Sequence, residues 1–425
     1  MLRMSFSARR QSLRGLGSAV AMAVALAGGS VIGAAATGSA AMAQEQPDLT
    51  PSREFNKVYQ PVADIAYATA GDFAAAKAQL PALLAAAQTA DDRYLTGSAS
   101  YVLGLKLRDR ALQLQGMELM LQSGKATRVA AAELSYHLGE AAYDAQQWAK
   151  ARQLLQAART GGYTAGNAEG LTAESYFKEG QFQPGIAYLE GLVQQRAAAG
   201  QEVPEVWLRR ALQVALDQQM SEEANRLSAL LVRHSPTERN WRDAITVIAQ
   251  VNTLEPKAQL DLLRLMALTD ALSDRRAYER YIEAADPRVN ASEVSRVLAA
   301  GLSAGVFASG DEYYADVKRI VDERMAEERS DASAYAAEAR GAANGRAARN
   351  AGEVYLALES FGEAEEMFKL ALEKGGIDRD EVLTRLGIAQ VRQNKLADAR
   401  ATFEQVSGAR AAVARMWSAY VSSRA

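Results

Sequence analysis

Two short stretches of the sequence have the residue types and spacing of catalytic motifs. Gly301 to Gly305 reads G-x-S-x-G, the pattern of a nucleophile elbow, in which a serine lies between a strand and a helix and a later histidine acts as its base. Here the residues before Gly301 have a helical pattern, and both histidines, His137 and His234, precede the serine. The match therefore does not predict a hydrolase.

The second stretch, Ser175 to Lys178, reads S-x-x-K, but it lies inside a helical pattern and no K-T-G triplet accompanies it. The two histidines are 97 residues apart and share no metal-ligand spacing. We expect His137 to be a partly buried helix residue and His234 to lie at a helix end, where it suits the helix dipole. The chain has no cysteine, which excludes disulfides and thiolate chemistry. The sequence thus predicts no enzyme, no cofactor and no metal site.

Composition indicates the elements that surround these residues. Apolar residues make up 49% of the chain and charged residues 23%, and much of the apolar share is alanine, the best helix former. The formal charge is −3, and the first 43 residues carry four arginines and no acid, so the remainder is near −7 (−3 minus 4). A mildly acidic chain lacks the basic surface of a nucleic-acid protein or of one that binds anionic membranes.

The first 43 residues have the order of a bacterial secretory signal. Four arginines come first, an apolar Ala/Gly/Val stretch follows, and Ala41-Met42-Ala43 supplies small residues for cleavage after Ala43. A membrane anchor is the weaker alternative, because Gly, Ser and Thr interrupt the apolar run short of ~20 residues. Arg9-Arg10 leaves twin-arginine export open. We expect an exported, periplasmic protein without an integral membrane segment after cleavage.

The clearest internal pattern repeats after 35 residues near the C-terminal end. The positions that recur are Gly352, Tyr355, Ala364, Phe368 and Ala371, followed by Gly387, Gln390, Ala399, Phe403 and Val406. In each copy a small residue precedes another by 12 positions, which suits two antiparallel helices whose backbones approach closely. The large residue four places later is expected to fill the space between hairpins. One hairpin cannot bury its apolar face alone, so neighbours must stack.

These residues resemble the tetratricopeptide repeat (TPR) family, whose 34-residue pattern runs L-G-x-x-Y, then A-x-x-x-F, then Pro. Five units are in register: residues 132–165, 166–199, 205–238, 345–378 and 380–413. The resemblance implies an all-α fold, a TPR-like superhelical solenoid of antiparallel helix pairs. Trp417 and Tyr420 on a last helix are expected to cap its end.

The same pattern suggests how the chain is divided. The predicted segments are a signal peptide (1–43), a disordered lead-in (44–60), an N-terminal TPR-like solenoid (61–255), a divergent helical segment (256–330) and a C-terminal TPR solenoid with its capping helix (331–425). Residues 94–121 have helical spacing without a clear register. Whether residues 256–330 are divergent repeats or an inserted module stays open.

In TPR proteins the first helix of each hairpin lines the binding groove, and the resemblance transfers that role by position. The predicted groove residues are Tyr136, Glu140, Tyr143, Asn167, Glu174, Phe177, Arg209, Gln213, Arg346, Arg349 and Glu353, with Thr384 following. Aromatic and arginine side chains suit peptide contact. The alternative is that Tyr143 and Phe177 merely complete the core.

The leading hypothesis is a protein–protein interaction scaffold of the bacterial cell envelope that binds a partner protein or peptide in this groove. Two alternatives remain: an accessory subunit of an envelope assembly, secretion or polysaccharide export complex, and an enzyme with its site in residues 256–330. The absence of His and Cys from that region disfavours the enzyme. The partner and the oligomeric state stay open.

Overall fold

The structure, a computed structural model, describes residues 47–424. Within that range the chain is all-helical, without a strand, and consecutive helices pack as neighbouring pairs. This confirms the predicted all-α solenoid of helix pairs. The predicted signal peptide, residues 1–43, lies outside the described residues. Among residues 47–424, no helix is both long enough and apolar enough to span a bilayer.

Packing divides the chain into unit 1 (Met1–Gly185) and unit 2 (Ile186–Ala425), away from the predicted boundaries at residues 255 and 330. The helices of unit 1 are α1 (Arg53–Ala66), α2 (Phe73–Ala86), α3 (Ala90–Leu107), α4 (Arg110–Gln122), α5 (Arg128–Asp144), α6 (Trp148–Gly161) and α7 (Ala168–Lys178). The helices of unit 2, the first of which begins just before the boundary, are α8 (Phe182–Ala198), α9 (Glu205–Asp217), α10 (Ser221–His234), α11 (Glu238–Val251), α12 (Pro256–Leu268), α13 (Arg275–Ala285), α14 (Ala291–Ser303), α15 (Glu312–Gly341), α16 (Arg346–Ala357), α17 (Phe361–Lys374), α18 (Arg379–Arg392), α19 (Leu396–Phe403) and α20 (Ala411–Arg424).

Part of the predicted disordered lead-in, residues 44–60, is helical in the structure. Residues 53–60 belong to α1 and are not a disordered segment. Phe55 and Tyr59 lie one helical turn apart, both are buried, and their rings stack with centroids 5.3 Å apart. The polar residues around them, with Pro51 and Pro61, concealed this two-residue apolar stripe in the sequence.

Helix starts in unit 1 follow from side-chain caps. Five helices begin after a residue whose side-chain oxygen accepts a hydrogen bond from the backbone N–H three positions later, which satisfies an otherwise unpaired donor. The capping residues are Asp72, Thr89, Asp109, Thr127 and Asn167. Short loops then turn each helix back against its predecessor, which fixes the order of the layers.

One backbone turn recurs in every predicted repeat unit. Its residues Gln146, Gly180, Gln219, Glu359 and Asn394 all have a positive φ, between 55° and 79°. Each is the fifteenth residue of its predicted unit. The next residue donates its N–H to the carbonyl five positions back, at 2.8–2.9 Å, which is the Schellman arrangement that ends a helix. The hairpins of both units therefore share one local geometry.

Glycines in the first helix of a hairpin make room for a large residue of the second. A Cβ atom on Gly139 would lie 2.9 Å from Cγ of Leu155, and one on Gly352 would lie 2.6 Å from Cδ1 of Phe368. The large residue thus packs inside its own hairpin, against the glycine backbone. The expectation that it fills the space between hairpins is confirmed only in part: Leu155 also clusters with Ala168 of the next hairpin, and Phe403 also stacks on Trp417.

The unregistered residues 94–121 also form a close hairpin, α3 with α4. A Cβ atom on Gly97 would lie 2.7 Å from the carbonyl oxygen of Gly116, so the two backbones are in direct contact. This hairpin places its glycines at other positions than the TPR pattern does. Because of this difference, the TPR pattern did not predict the α3–α4 hairpin from the sequence.

Unit 2 contains two features that a simple array lacks. The 30-residue α15 packs on α14 near its start and on α16 towards its end, and it is not paired with a helix of similar length. At the other end, α20 packs on α10, α11 and α12 as well as on α19. Trp417 is buried, stacks on Phe403 and donates its indole N–H to the backbone oxygen of Asp261 at 3.1 Å. The predicted capping helix therefore also ties the last hairpin to α10–α12.

Candidate partner-binding surfaces

One face of α5 gathers polar and aromatic side chains in unit 1. Tyr136 and His137 are adjacent, and each lies three or four positions from both Glu133 and Glu140, so the four residues occupy neighbouring positions of one face. Thr127 caps the start of α5, and the turn at Gln146 ends it. The rigid helix therefore holds these four side chains in a fixed order.

Tyr136 is the centre of this group. It is 6% exposed, its hydroxyl donates to Glu140 Oε1 at 3.0 Å and accepts the backbone N–H of Asn167 at 3.1 Å. Its ring stacks on Tyr163, with centroids 4.7 Å apart, and the backbone of Gly166 lies against it, where a side chain would collide. Burial, reinforced by the charge of Glu140, raises the pKa of Tyr136 to about 12 although the Asn167 N–H opposes the shift.

His137 and Glu140 complete the group, which we call the Tyr136 cluster (Tyr136, His137, Glu140 and Tyr163). His137 Nδ1 lies 3.2 Å from Glu140 Oε2, and the His137 ring lies 6.2 Å from that of Tyr163. Both carboxylate oxygens of Glu140 thus have a partner on α5. Its side chain is still 35% exposed, so the carboxylate is oriented but open to a ligand.

The other predicted groove residues of unit 1 have mixed positions. Tyr143 is half-buried, and its ring meets that of Trp148 edge-on at 5.2 Å. Asn167 is exposed and caps α7, and Glu174 is half-buried. Phe177 is 6% exposed and packs where Gly185 lacks a side chain, so it belongs to the core.

The first predicted residues of unit 2 lie on α9. Arg209 is half-buried and is held by three acceptors, the carboxylates of Glu205 and Asp243 and the side-chain oxygen of Asn240. Gln213 is exposed and donates to Asp217 at 2.7 Å. Arg209 is thus engaged within the unit, whereas Gln213 lies on its surface.

The three predicted residues on α16 also differ in exposure and in their contacts within unit 2. Arg346 is exposed, Arg349 is half-buried and bonds to the side chain of Asn350, and Glu353 forms an ion pair with Arg385 of α18. Thr384 is fully buried and donates to the backbone oxygen of Asp380. Glu353 therefore faces another helix of unit 2, and the Thr384 hydroxyl is bonded within its own helix.

Arg385 belongs to a buried ionic network that the sequence did not predict. We call it the charged core, which comprises Asp261, Arg264, Glu293, Arg385 and Arg410, all less than 9% exposed. Asp261 accepts from Arg264 at 2.9 Å, from Arg410 at 2.7 Å and from Arg385 at 3.4 Å. Arg264 also donates two hydrogen bonds of 2.8 Å to the carboxylate of Glu293. The network joins α12, α14, α18 and the segment before α20.

Further carboxylates surround the charged core. Glu381 accepts from Arg385 at 2.6 Å and from Lys257 at 2.8 Å, and Glu255 pairs with Arg410. Tyr281 donates its hydroxyl to Glu293 at 2.9 Å. These contacts compensate most of the buried charge, as burial of ions requires.

Acidic groups of the charged core stay ionised because of the arginines. Burial alone would raise the pKa of Asp261, but Arg385, Arg264 and Arg410 together hold it below its usual range. Burial likewise opposes the charge of Glu293, and Arg264 outweighs it, so the pKa of Glu293 is also lowered. These shifts follow from structural pairing and need no catalytic role.

No local pattern marks the charged core in the sequence. Its members come from segments up to 149 residues apart, as Asp261 and Arg410 are. Asp261 and Arg264 interrupt the apolar pattern of α12, and charged residues within such a pattern were the only available signal. Without the fold, their partners could not be identified.

The serines of the two catalytic motifs set aside above both lie in helices. Ser303 is the last residue of α14, so a helix precedes it, and Ser175 is buried with its hydroxyl bonded to the Thr172 carbonyl. Residues 47–424 contain no group of His, Asp and Glu suited to a metal ion. A cavity of about 290 Å³ is lined by Asn225 and Asn252, whose side-chain amides bond to each other.

The chain matches no protein-family model and no curated protein.

Proposed function

We propose that the protein is a TPR-type binding scaffold, exported to the bacterial periplasm, that holds a partner protein or peptide on the first-helix face of unit 1. The repeat of 34–35 residues, with the same turn in each of five units, supports the TPR assignment. The order of charged, apolar and small residues in 1–43 supports export. No catalytic role is included in the proposal.

A single observation carries the choice of surface. On α5, Tyr136 and His137 orient Glu140 while leaving 35% of its side chain exposed, and the half-exposed Tyr143 and Tyr163 flank it. Oriented polar groups beside rigid aromatic rings are what a recognition surface needs, because little order is lost on binding. In unit 2, Glu353 at a corresponding first-helix position is paired with Arg385.

The test is site-specific photocrosslinking in the native envelope. A photoreactive phenylalanine derivative replaces Tyr143 or Tyr163 in the full chain, and Tyr335, a 37% exposed tyrosine of α15, serves as the matched control site. We expect one dominant partner to crosslink at residues 143 and 163 but not at 335. Crosslinks at 335 alone, or none at any site, would contradict the proposed surface.

Two further readouts refine the proposal. Sequencing the N-terminus of the protein from the periplasmic fraction should give Gln44 as its first residue; a retained N-terminus in the cytoplasm would contradict export. A partner that co-purifies in fixed stoichiometry without crosslinking would favour the accessory subunit of an envelope complex over a transient peptide receptor.

A further inference from the structure

We propose that the α5 face of unit 1 recognises a cationic side chain, an arginine guanidinium or a lysine ammonium, in a basic segment of the partner. The proposal rests on the scaffold function and names the chemistry of its ligand. Glu133 and Glu140 would supply the carboxylates, and Tyr163 and Tyr101 would supply an aromatic ring and a hydroxyl.

Charge on this face is one-sided. Between Arg128 and Lys150 the chain carries Glu133, Glu140 and Asp144 but no lysine or arginine. Arg128 itself is turned to the carbonyl oxygen of Gly161, to which it donates at 2.6 Å. Between Arg128 and Lys150 the carboxylates of α5 therefore have no lysine or arginine partner on their own helix, and His137 is the basic residue that contacts one of them, Glu140.

Glu133 differs from Glu140 because its carboxylate has no partner. It is half-buried and forms neither a hydrogen bond nor an ion pair with any residue in the range 47–424. Water reaches this half-buried carboxylate, and a cation that donates N–H groups would replace that water with charge-assisted hydrogen bonds. Glu140, about two helical turns further along α5, is already oriented by Tyr136 and His137.

Tyr101 provides an independent observation. This residue of α3 is 2% exposed, and its hydroxyl has no hydrogen-bond partner within the described chain. Tyr101 packs in one buried cluster with Leu134 and Leu138, so its side chain lies against α5, the helix that carries Glu133. Burial raises the pKa of Tyr101, and the negative charge of Glu133 raises it further. A buried hydroxyl without a hydrogen-bond partner, packed on a helix with an unpaired carboxylate, is a group that a ligand would satisfy.

Tyr163 adds the aromatic part of the site. Its ring is half-exposed and rests on that of Tyr136. Burial raises the pKa of Tyr163, and the negative charges of Glu133 and Glu140 raise it further. A cation bound at these carboxylates would also find an electron-rich ring, an attraction that favours Arg and Lys.

Arg110 is a cation of unit 1 that could compete for this site. It is half-buried at the start of α4, it lowers the pKa of Tyr101 and it forms no ion pair with the described residues. If Arg110 turned to Glu133, it would occupy the site. Replacing it therefore tests whether the site is open to an external ligand.

The experiment is calorimetric titration of the purified full chain with short peptides. Tetra-arginine is the probe, and tetra-citrulline is the control, because citrulline keeps the shape of arginine without its charge. We expect binding of tetra-arginine that weakens with added salt, and at least about tenfold weaker binding of tetra-citrulline. Tetra-lysine separates a general cation site from a guanidinium site.

Variants locate the binding. Glu133→Gln and Glu140→Gln should each weaken tetra-arginine binding about tenfold, whereas Asp64→Asn, which removes one charge from an exposed position of α1, should not. Arg110→Gln should leave binding unchanged or strengthen it. Circular dichroism checks that each variant is folded.

Equal binding of the arginine and citrulline peptides, or equal effects of Glu133→Gln and Asp64→Asn, would overturn the proposal. These outcomes are distinct from a failure of the scaffold itself. A partner that crosslinks at residues 143 and 163 in the absence of arginine selectivity would leave the scaffold and remove the cation site. Selective arginine binding without any crosslinked partner would support the cation site and contradict the scaffold.

Discussion

Units 1 and 2 are built from the same hairpin but use their charged side chains differently. Both units end the first helix of a hairpin with the Schellman turn and let a glycine receive a large residue, as at Gly139 and Gly352. In unit 1, Glu133 and Glu140 remain partly exposed, and neither forms an ion pair with a lysine or arginine of the described chain. In unit 2, Asp261 and Glu293 are buried among arginines. The turns and glycine contacts thus form the hairpin in both units, whereas the environment of the charged side chains differs between them.

The largest effect that would test this comparison is expected from Arg385→Met. Arg385 is 1% exposed and forms ion pairs with Asp261, Glu353 and Glu381. Its removal therefore leaves buried negative charge uncompensated. We expect the free energy of unfolding of unit 2 to fall by about 3–5 kcal/mol. Urea denaturation followed by hydrogen exchange of α12 and α18 measures it.

Arg379→Met is the control for this change, because Arg379 is an exposed residue of the same helix. It should alter the unfolding free energy by no more than about 0.5 kcal/mol. If both variants behaved alike, the charged core would not be a stabilising feature of unit 2, and the contrast with unit 1 would fail.

A second pair of variants tests what the units share. Gly139→Ala and Gly352→Ala each place a Cβ atom within 3 Å of a core side chain, so both should destabilise their unit by about 1–3 kcal/mol. Gly352→Ala should have the larger effect, because Phe368 presents a rigid ring at 2.6 Å. Thermal melts of both variants give the comparison.

Gly191→Ala is the matched control, since this glycine of α8 has open space around its missing side chain. It should be neutral or stabilise by up to about 1 kcal/mol through helix propensity. A destabilisation by Gly352→Ala but not by Gly139→Ala would mean that the hairpins of the two units are packed differently.

The pH dependence of unit 2 gives a third test. Glu365 is 4% exposed and is bonded to Lys369, Lys395 and Gln393; burial opposes its charge, yet these partners lower its pKa to about 2. Because the folded pKa lies below the usual value, its stabilising contribution is present above about pH 4.5 and is lost as pH falls towards 2. The free energy of unfolding should fall by about 1–3 kcal/mol over this pH range. This range already allows for solvent screening, because both lysines are exposed.

Urea titrations between pH 6 and 2 on wild type and Glu365→Gln measure this contribution. The variant should lose a correspondingly smaller part of its stability in acid, and Glu366→Gln, an exposed neighbour, should keep the wild-type slope. Identical slopes for wild type and Glu365→Gln would exclude Glu365 as a source of the acid dependence.

The smallest effect is expected from Glu140→Gln in unit 1. Glutamine keeps an oxygen that can accept from Tyr136, and the side chain is 35% exposed, so the unfolding free energy should change by less than about 1 kcal/mol. A loss as large as that from Arg385→Met would show that the Tyr136 cluster is a structural core like that of unit 2.

The sequence was sufficient to predict the repeat because the repeat is local. Positions such as Gly387, Ala399 and Phe403 lie within one hairpin, and the same short-range constraints act in each copy. Helix α1 was missed because Phe55 and Tyr59 are a sparse apolar pair in a polar stretch. The α3–α4 hairpin was missed because Gly97 and Gly116 achieve close approach at other positions.

The candidate site was predictable only in part. The TPR resemblance singled out Tyr136 and Glu140, which lie on the α5 face of the candidate surface, and the burial of Phe177 agrees with the alternative that it completes the core. Tyr163, in the loop after α6, and Tyr101, on α3, come from other segments and could be found only with the fold. The same holds for the charged core, whose bonds link distant helices.

The packing of α20 on α10–α12 has a consequence for how unit 2 folds. An open array of repeats frays from its ends, since each terminal repeat is held by one neighbour only. Here the hydrogen bond from Trp417 to Asp261 spans 156 residues, so a late segment of the array supports an earlier one. Contacts of such separation raise the contact order, which slows folding. Unit 2 should therefore form slowly and melt in one cooperative step, and its terminal hairpin should exchange its amide protons as slowly as its centre.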